Sequence, residues 1–436
     1  MMRSTFDKSV RLRAPLCLAA VLALAAPSVA GAQTIASRVA AIQNGTVEMS
    51  IPAKSGVCGD DRDIVGFRRT LYIWPSLETH GTWSGVNCVP GNLRVRLTLK
   101  GGSITTIRTH VGDGKRSNSK ATADLGVVPA AEAADYFLSL ASRLDGRASK
   151  DAIIPAVLAD DVKILPALSR ISRDASRPKE TRHQAIRWIG EMGEDGALLF
   201  LNELAAASEQ DMNIREHALM GLAYLPDGQG VTSLIRIARS SPDRKLREKG
   251  IFWLSQAEDP AARRTLREMA SSNDVPEDER GHVIFALGHH DPTEEDGVFL
   301  RSLYSRTTHT LKDKIIQSVA QGDEGDDSGG RWLLALAANE AEPMELRKNA
   351  LFWAGQSEQT SVEDLIKGYS VATEPQLKEH HVFVLSQREE SKATDKLMDI
   401  ARNDDDPEAR KKALFWLGQT DDPRVAKFLQ QMILKR

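Results

Sequence analysis

The residues of this chain best suited to metal binding or proton transfer are two adjacent histidine pairs, His289-His290 and His380-His381. An imidazole nitrogen can bind zinc, and it can exchange a proton near neutral pH. Neither pair has further ligands at the spacing of a zinc site, so we predict no metal site. The four histidines are interpreted as turn and surface residues.

Sequence motifs of enzymes are missing. The chain contains no Gly-x-Ser-x-Gly, no His-Glu-x-x-His and no phosphate-binding loop. The acidic segment 322–330 lacks the alternating ligands and distal glutamate of a calcium-binding EF-hand, which favours an exposed turn. We therefore predict no catalytic residue and no cofactor, and we do not expect an enzyme.

The N-terminus has the pattern of a secretory signal peptide. Its basic residues are Arg3, Lys8, Arg11 and Arg13, followed by an apolar run over 14–26 and the small residues Ala30-Gly31-Ala32. This pattern predicts a signal peptide over 1–32 and a periplasmic or secreted protein with no membrane span after cleavage. A transmembrane anchor is the alternative, and the short apolar run disfavours it.

Two cysteines, Cys58 and Cys88, remain after cleavage. An even pair in an oxidising compartment predicts a disulfide, and two buried free thiols are the alternative.

The charge of the mature chain disfavours a nucleic-acid partner. Residues 1–32 hold four of the 57 basic and one of the 60 acidic residues, so 53 and 59 remain and the formal charge is −6. Nucleic-acid binding relies on clustered positive charge, whereas both signs are interspersed here.

Apolar residues alternate in the N-terminal region, as in Val47, Met49 and Ile51 and again along 93–99. This period of two predicts a small β-rich module over 33–110, with a hairpin turn at Lys100-Gly101-Gly102 and a further strand within 64–74. Residues 111–149 are predicted to be a polar linker and a helix that couples the module to the C-terminal region.

A basic residue recurs at intervals of 31 to 35 residues beyond residue 150. Its positions are Arg182, Arg215, Arg247, Arg280, Lys312, Arg347, Lys378 and Arg410. Small or apolar residues mostly follow it at the third, fourth and eighth places, and a leucine follows 18 to 21 residues later. These offsets predict a stack of about eight helical hairpins over 150–436, each begun by the helix with the basic residue. Prolines and Asp-Pro pairs between the helices fit first helical turns.

Three further columns follow the basic residue. The sixth place holds Trp188, Trp253, Trp353 and Trp416, which form an aromatic ladder on a binding face or, alternatively, pack between repeats. The second place holds His217, His282 and His380, which belong to a polar recognition stripe or to a solvated face. The fifth place holds Phe252, Phe285, Phe352, Phe383 and Phe415, which are interpreted as packing residues.

The pattern Ala-Leu-Phe-Trp-Leu-Gly-Gln at 413–419 recurs with small changes at 350–356 and 251–256. It resembles the short HEAT repeats that also occur in bilin-lyase-type proteins, and the whole chain resembles exported bacterial HEAT-repeat proteins. The resemblance implies an α+β protein in which the β-rich module precedes a right-handed α-α superhelical, HEAT-like solenoid. It implies binding of other proteins and names no reaction.

These observations favour an exported, non-enzymatic scaffold that binds an unknown protein partner in the cell envelope. We expect its concave face, formed by the second helices, to carry the contacts. The first alternative is a small-ligand or glycan binder that uses Tyr72, Trp74 and Trp83 of the β module. A lyase-like accessory protein is the less favoured alternative, because bilin attachment belongs to the cytoplasm.

Overall fold

A computed structural model describes most of the chain from residue 33 onward. The described residues are 33–60, 64–67, 70–73, 77–80, 88–112, 121–289, 292–322, 328–357 and 360–434. The predicted signal peptide, Trp74, Trp83, His290 and most of the acidic segment 322–330 lie outside the described residues.

The N-terminal module contains two sheets. The strands among the described residues are β1 Gly45–Ile51, β2 Val57–Gly59, β3 Ile64–Phe67, β4 Thr70–Ile73, β5 Leu77–His80, β6 Val89–Pro90, β7 Leu93–Lys100, β8 Ser103–Val111 and β9 Ala123–Val127. One sheet has the strand order β8-β7-β1-β9 and the other the order β5-β4-β3-β2-β6.

The central strands β1 and β7 follow the alternation in the sequence. Val47, Met49 and Ile51 are buried on one side of β1, and each pairs with a buried residue of the antiparallel β7. The predicted hairpin turn joins β7 to β8, because Lys100 pairs with Ser103 across Gly101 and Gly102. These two residues have φ angles of +56° and +75°, which only glycine adopts without strain.

Two parts of the module differ from the expected boundaries. The segment 64–74 forms a hairpin of two antiparallel strands, in which Ile64 pairs with Ile73. The strand β9 lies within 111–149, where a linker was expected, and pairs in parallel with β1. A strand of five residues has little pattern of its own, and it is defined here by the edge of β1.

The predicted disulfide between Cys58 and Cys88 is confirmed. The two Cα atoms lie 5.2 Å apart, and Cys58 in β2 pairs with Pro90 of β6. The bond closes a long excursion of the chain at one side of the second sheet, which restricts the unfolded chain as well as the folded one.

Helices joined by turns form most of the rest of the described chain. The α+β class with a HEAT-like solenoid is confirmed. Their bounds are α1 Ile35–Ala40, α2 Ala130–Arg143, α3 Gly146–Asp151, α4 Ile153–Val157, α5 Leu165–Arg173, α6 Lys179–Met192, α7 Ala197–Ala206, α8 Met212–Tyr224, α9 Val231–Ser240, α10 Arg244–Ser255, α11 Pro260–Ser271, α12 Glu277–His289, α13 Glu294–Tyr304, α14 His309–Gln321, α15 Ser328–Ala338, α16 Met344–Gln356, α17 Val362–Val371, α18 Pro375–Ser386, α19 Ser391–Asn403, α20 Pro407–Leu417 and α21 Pro423–Leu434.

The β module and the helices share one core. Helix α2 packs on α4 and α5, and α3 packs on β8. The backbone adds bonds between the two parts, because Lys54 N donates to Leu158 O at 2.9 Å and Asp160 N donates to Pro52 O at 2.9 Å. The module therefore covers the beginning of the helical stack.

The predicted repeats are present, but the hairpins begin half a repeat earlier than the sequence indicates. The helices that carry the basic residue are α6, α8, α10, α12, α14, α16, α18 and α20, and we call them the inner helices. The helices α5, α7, α9, α11, α13, α15, α17, α19 and α21 are called the outer helices. Of the two outer helices that flank it in the chain, each inner helix packs more on the one before it, as α8 packs on α7 and α10 on α9. A periodic sequence fixes the interval of the repeats but not the helix that opens each hairpin.

The recurring basic residue joins each hairpin to itself and to the next one. Arg215 Nε donates to the carbonyl of Ala205 at 3.0 Å near the end of α7. Nη1 of the same guanidinium group donates to Asp243 Oδ2 at 2.8 Å, just before α10. Arg347 does the same with Ala337 O at 2.9 Å and with Glu374 at 2.6 Å. The last carbonyls of a helix have no partner within it, and they carry partial negative charge. The guanidinium group donates a hydrogen bond to these carbonyls, and its positive charge offsets their partial negative charge.

Two repeats have lysine in place of arginine, and in both a tyrosine of the preceding outer helix bonds the same carboxylate as the lysine. Lys312 Nζ lies 4.6 Å from the ring centre of Tyr304, and both side chains bond Glu342, at 3.0 and 3.1 Å. Lys378 and Tyr369 meet Asp404 in the same way, and the tyrosine hydroxyl is 2.6 Å from the carboxylate. Burial and the nearby carboxylate raise the pKa of both tyrosines, so the hydroxyls stay protonated donors.

Consecutive inner helices approach one another closely at small residues. A Cβ atom at Gly190 would lie 2.4 Å from the carbonyl oxygen of Gly221, and one at Gly288 would lie 2.5 Å from Ser318 Cβ. Consecutive outer helices pack less closely, and long ion pairs such as Arg173–Glu203 join them. The stack therefore curves toward the inner helices, which form its concave side in place of the second helices expected from the sequence.

We expect Gly190→Ala to destabilise the protein by about 2 kcal/mol, because the new methyl group overpacks the contact between α6 and α8. Urea unfolding of the purified chain measures this change. Gly281→Ala is the matched control, since its Cβ would meet nothing closer than 3.8 Å. There alanine is expected to stabilise the helix by about 0.5 to 1 kcal/mol. Equal effects of the two variants would contradict the close approach of the inner helices.

We expect Arg347→Gln to cost about 2 to 3 kcal/mol of unfolding free energy, since Arg347 is 3% exposed and its loss leaves the Ala337 carbonyl unpaired. Thermal and urea unfolding test this expectation. The control is Lys367→Gln, which removes an exposed ion pair with Asp364 within one helix. An unfolding midpoint for Arg347→Gln that matches this control would show that the bridge contributes little.

Candidate partner-binding face

The exposed side of the inner helices is built from three places in each repeat. The basic residue and the third, fourth and seventh places after it turn toward the core. At 3.6 residues per turn, the second, fifth and ninth places lie on the opposite side. We call the surface formed by these three places on the inner helices the inner face.

The second-place column ties neighbouring hairpins together. Lys249 Nζ lies 2.8 Å from Glu216 of the preceding inner helix, and Lys412 Nζ lies 3.6 Å from Glu379. Asn349 donates a hydrogen bond to a residue at the same place as these acids, Asp313. The charges of this column are thus neutralised in pairs across the hairpins.

His217 belongs to this column and stacks on His183 of the preceding inner helix. The ring centres are 3.6 Å apart and the planes differ by 11°. Nδ1 of His217 lies 2.8 Å from the backbone oxygen of Asn213. Burial, and then the neighbouring His217, lower the pKa of His183 to about 4, so His183 is neutral at pH 7. The stack is a packing contact between two hairpins.

The other two candidate histidines lie at different depths. His282 is exposed on α12, and His380 is half-buried with its ring 5.6 Å from that of Phe383. The adjacent His381 points into the core and is only 3% exposed, so the interpretation of the paired histidines as turn and surface residues is wrong for His381. A Cβ atom at Gly368 would lie 2.7 Å from its ring. Burial lowers the pKa of His381 to about 3.

The tryptophan column faces the preceding hairpin. Trp188 is fully buried, so it is a packing residue and does not lie on an open face. Trp253, Trp353 and Trp416 are half-buried, and the ring of Trp253 lies 6.1 Å from that of Tyr224 in the preceding inner helix. Their remaining exposed edges border the inner face.

The phenylalanine column is the more exposed of the two aromatic columns, contrary to the sequence interpretation. Phe415 is 57% exposed, Phe285 42% and Phe252 37%. The sixth place turns toward the preceding hairpin, whereas the fifth place turns away from the core. One step along the helix, about 100°, separates a packing residue from a surface residue.

Four rings form a continuous row across the last three inner helices, and we call Phe352, Phe383, Trp416 and Phe415 the aromatic strip. Phe352 and Phe383 are parallel with ring centres 6.3 Å apart. Trp416 lies 5.3 Å from Phe383 and 5.1 Å from Phe415. Apolar surface that spans several repeats and remains in contact with water is typical of an interaction site.

A column of glutamines runs beside these rings at the ninth place. The exposed glutamines are Gln256, Gln321, Gln356, Gln387 and Gln419. An amide side chain can both donate and accept hydrogen bonds. The sequence analysis did not single out this column, although its regular interval is a signal of the same kind as that of the basic residue.

A cleft of about 590 Å³ lies on the other side of the stack, between α9, α11 and the turn before α12. Two ion pairs line it, Arg239–Glu268 and Arg247–Glu279, above the apolar Met269. Asp274 lines the cleft as well.

Within the described ranges, no group of three or more histidines, cysteines or carboxylates is placed to hold a metal ion. In that same part of the chain, none of the helices has the length and apolar character required to cross a membrane.

Comparisons with known proteins give likenesses to solved helical structures alone. No protein-family model and no curated protein matches the chain. Human deoxyhypusine hydroxylase in complex with glycerol is 17% identical, with a TM-score of 0.25 over 58% of this chain and 94% of that one. The CpcE–CpcF complex of phycocyanin lyase from Nostoc sp. PCC7120 is 17% identical, with a TM-score of 0.26 over 53% and 90%. Kap95p, solved with RanGDP, is 11% identical, with a TM-score of 0.37 over 69% and 48%. None of these likenesses assigns an activity or a partner.

We expect His381 to make the protein sensitive to acid. Its folded-state pKa is lowered to about 3, so the stability it contributes is complete above pH 6.5 and is lost as the pH falls toward 3. Between pH 7 and pH 4 the loss is on the order of 3 kcal/mol. Urea unfolding across this range should show a smaller loss for His381→Gln, and the same loss as in the parent for the exposed control His309→Gln. An unchanged pH dependence in His381→Gln would contradict the buried, neutral imidazole.

Proposed function

We propose that this protein is an exported, non-enzymatic scaffold that binds a protein partner of the cell envelope on its inner face. The observation that carries the proposal is the aromatic strip, whose outermost ring, Phe415, is 57% exposed. Aromatic residues are enriched at protein interfaces, where a desolvated ring contributes much of the binding energy. Because the stack is concave, side chains of three repeats can contact one partner at the same time.

Two features support export. The basic and apolar pattern of residues 1–32 is that of a signal peptide, and the Cys58–Cys88 bond suits an oxidising compartment.

The sequence-derived candidates have unequal parts in this proposal. Trp416 belongs to the aromatic strip, and Trp353 and His380 lie at its edge. His282 and Trp253 lie further along the inner face. His217 and Trp188 support the packing of the first hairpins. The glycan-binding alternative depends on Tyr72 of β4 and on Trp74 and Trp83, and no contact among the described residues favours it.

We expect p-benzoylphenylalanine placed at 383 or at 415 to crosslink one and the same protein in intact cells under light. The reason is that both positions lie on the strip that the partner covers. The matched control is position 199, where Leu199 is 65% exposed on the outer helix α7. Mass spectrometry of the adducts identifies the partner. Equal adducts from 199 would show that the inner face is not the binding surface.

We expect the adduct to require export. The chain from residue 33 onward, expressed without 1–32, should remain in the cytoplasm and give no crosslink to that protein. Cell fractionation locates both forms. The same adduct from the cytoplasmic form would contradict an envelope partner.

A further inference from the structure

We propose that the aromatic strip binds an extended, uncharged polypeptide segment of the partner, which places alternate apolar side chains on the rings. This inference rests on the scaffold function proposed above and names the chemistry of the segment that is bound.

The spacing of Phe352 and Phe383 matches an extended chain. In a strand, residues two apart point to the same side and are about 6.7 Å from one another. The two rings are 6.3 Å apart and parallel, so side chains two residues apart in a strand meet these two neighbouring repeats. The concave curve makes this possible, because it brings the rings closer than the usual 8–10 Å between packed helix axes.

The charges around the strip favour an uncharged segment. Its acids are already paired with lysines, Glu345 with Lys348 at 3.5 Å and Glu408 with Lys411 at 3.4 Å. The third pair, Glu379–Lys412, spans α18 and α20 at 3.6 Å. A charged side chain on the rings would lose its hydration without gaining a counter-ion. Electrostatic complementarity to this balanced surface therefore means a neutral partner.

The glutamines provide groups for the main chain of the segment. Gln356, Gln387 and Gln419 are exposed beside the strip, one in each hairpin. Gln387 Nε2 donates to Ser386 Oγ at 3.1 Å, a weak local bond that a peptide carbonyl can replace. An extended peptide presents N–H and C=O groups along its length, and an amide side chain matches both.

The test uses the folded chain from residue 33 onward and fluorescein-labelled ten-residue peptides in an anisotropy titration. The first peptide alternates leucine with serine, and two others replace leucine by glutamate or by lysine. We expect the leucine peptide to bind with saturation and both charged peptides to bind at least tenfold more weakly. A fourth peptide, with N-methylated serine residues, should bind at least fivefold more weakly because it lacks every second main-chain donor.

Matched variants locate the site. Phe415→Ser and Phe383→Ser should each weaken binding of the leucine peptide at least fivefold, whereas Leu199→Ser on an outer helix should leave it unchanged. Circular dichroism checks that each variant is folded. If Phe383→Ser does not fold, Phe415→Ser still tests the site, because Phe415 is well exposed. In the double variant Gln387→Ala with Gln419→Ala, the N-methylated peptide should bind with the same affinity as the unmethylated leucine peptide.

Three results would overturn the inference: no saturable binding of the leucine peptide, equal binding of a charged peptide, or unchanged binding in Phe415→Ser. Displacement of the bound peptide by chitohexaose would also overturn it and indicate a glycan surface. Photo-crosslinks from 383 and 415 to a protein, together with no peptide binding, would retain the scaffold function and reject the extended segment. Loss of those crosslinks would instead reject the scaffold function itself.

Discussion

The contact on which the helical stack depends is the hydrogen-bonded bridge of the recurring basic residue. Each outer helix ends with carbonyl groups that have no partner within the helix, and the next hairpin presents an acid or an amide close by. Arg215 and Arg347 bond both at once and are almost completely buried. A hairpin cannot bury its apolar side alone. The bridge fixes how each hairpin rests on the next, so the direction of the whole stack follows from it.

The planar guanidinium suits this role because it has several donors in a rigid arrangement, whereas an ammonium group is a compact charge. The two lysine repeats show the consequence. Tyr304 and Tyr369 place their rings beside the lysines and their hydroxyls on the same carboxylates, which gives each carboxylate a second donor. The substitution of a long cation by a shorter one is thus accompanied by a change in a different helix.

The curvature of the stack follows from residue size. Glycine and serine at the crossings of the inner helices allow backbones to touch, and longer charged side chains separate the outer helices. The inner helices therefore converge, and their exposed rings meet. An aromatic row that would be interrupted on a flat stack becomes continuous between Phe352 and Phe415. The aromatic strip is in this sense a product of the same small residues that pack the core.

The sequence alone determined the interval of the repeats, the disulfide, the alternation of β1 and β7 and the N-caps at Asp259 and Asp406, because these depend on local pattern and on few residues. It also identified the columns of side chains. Only the tertiary structure decided which helix opens a hairpin, that β9 joins β1, that Trp188 is buried, and that phenylalanine rather than tryptophan faces solvent. A repeating pattern is the same whichever helix is counted first, and the fifth and sixth places differ by one step around a helix. Their exposure depends on where the neighbouring hairpin lies, and that is decided by contacts between residues about thirty positions apart.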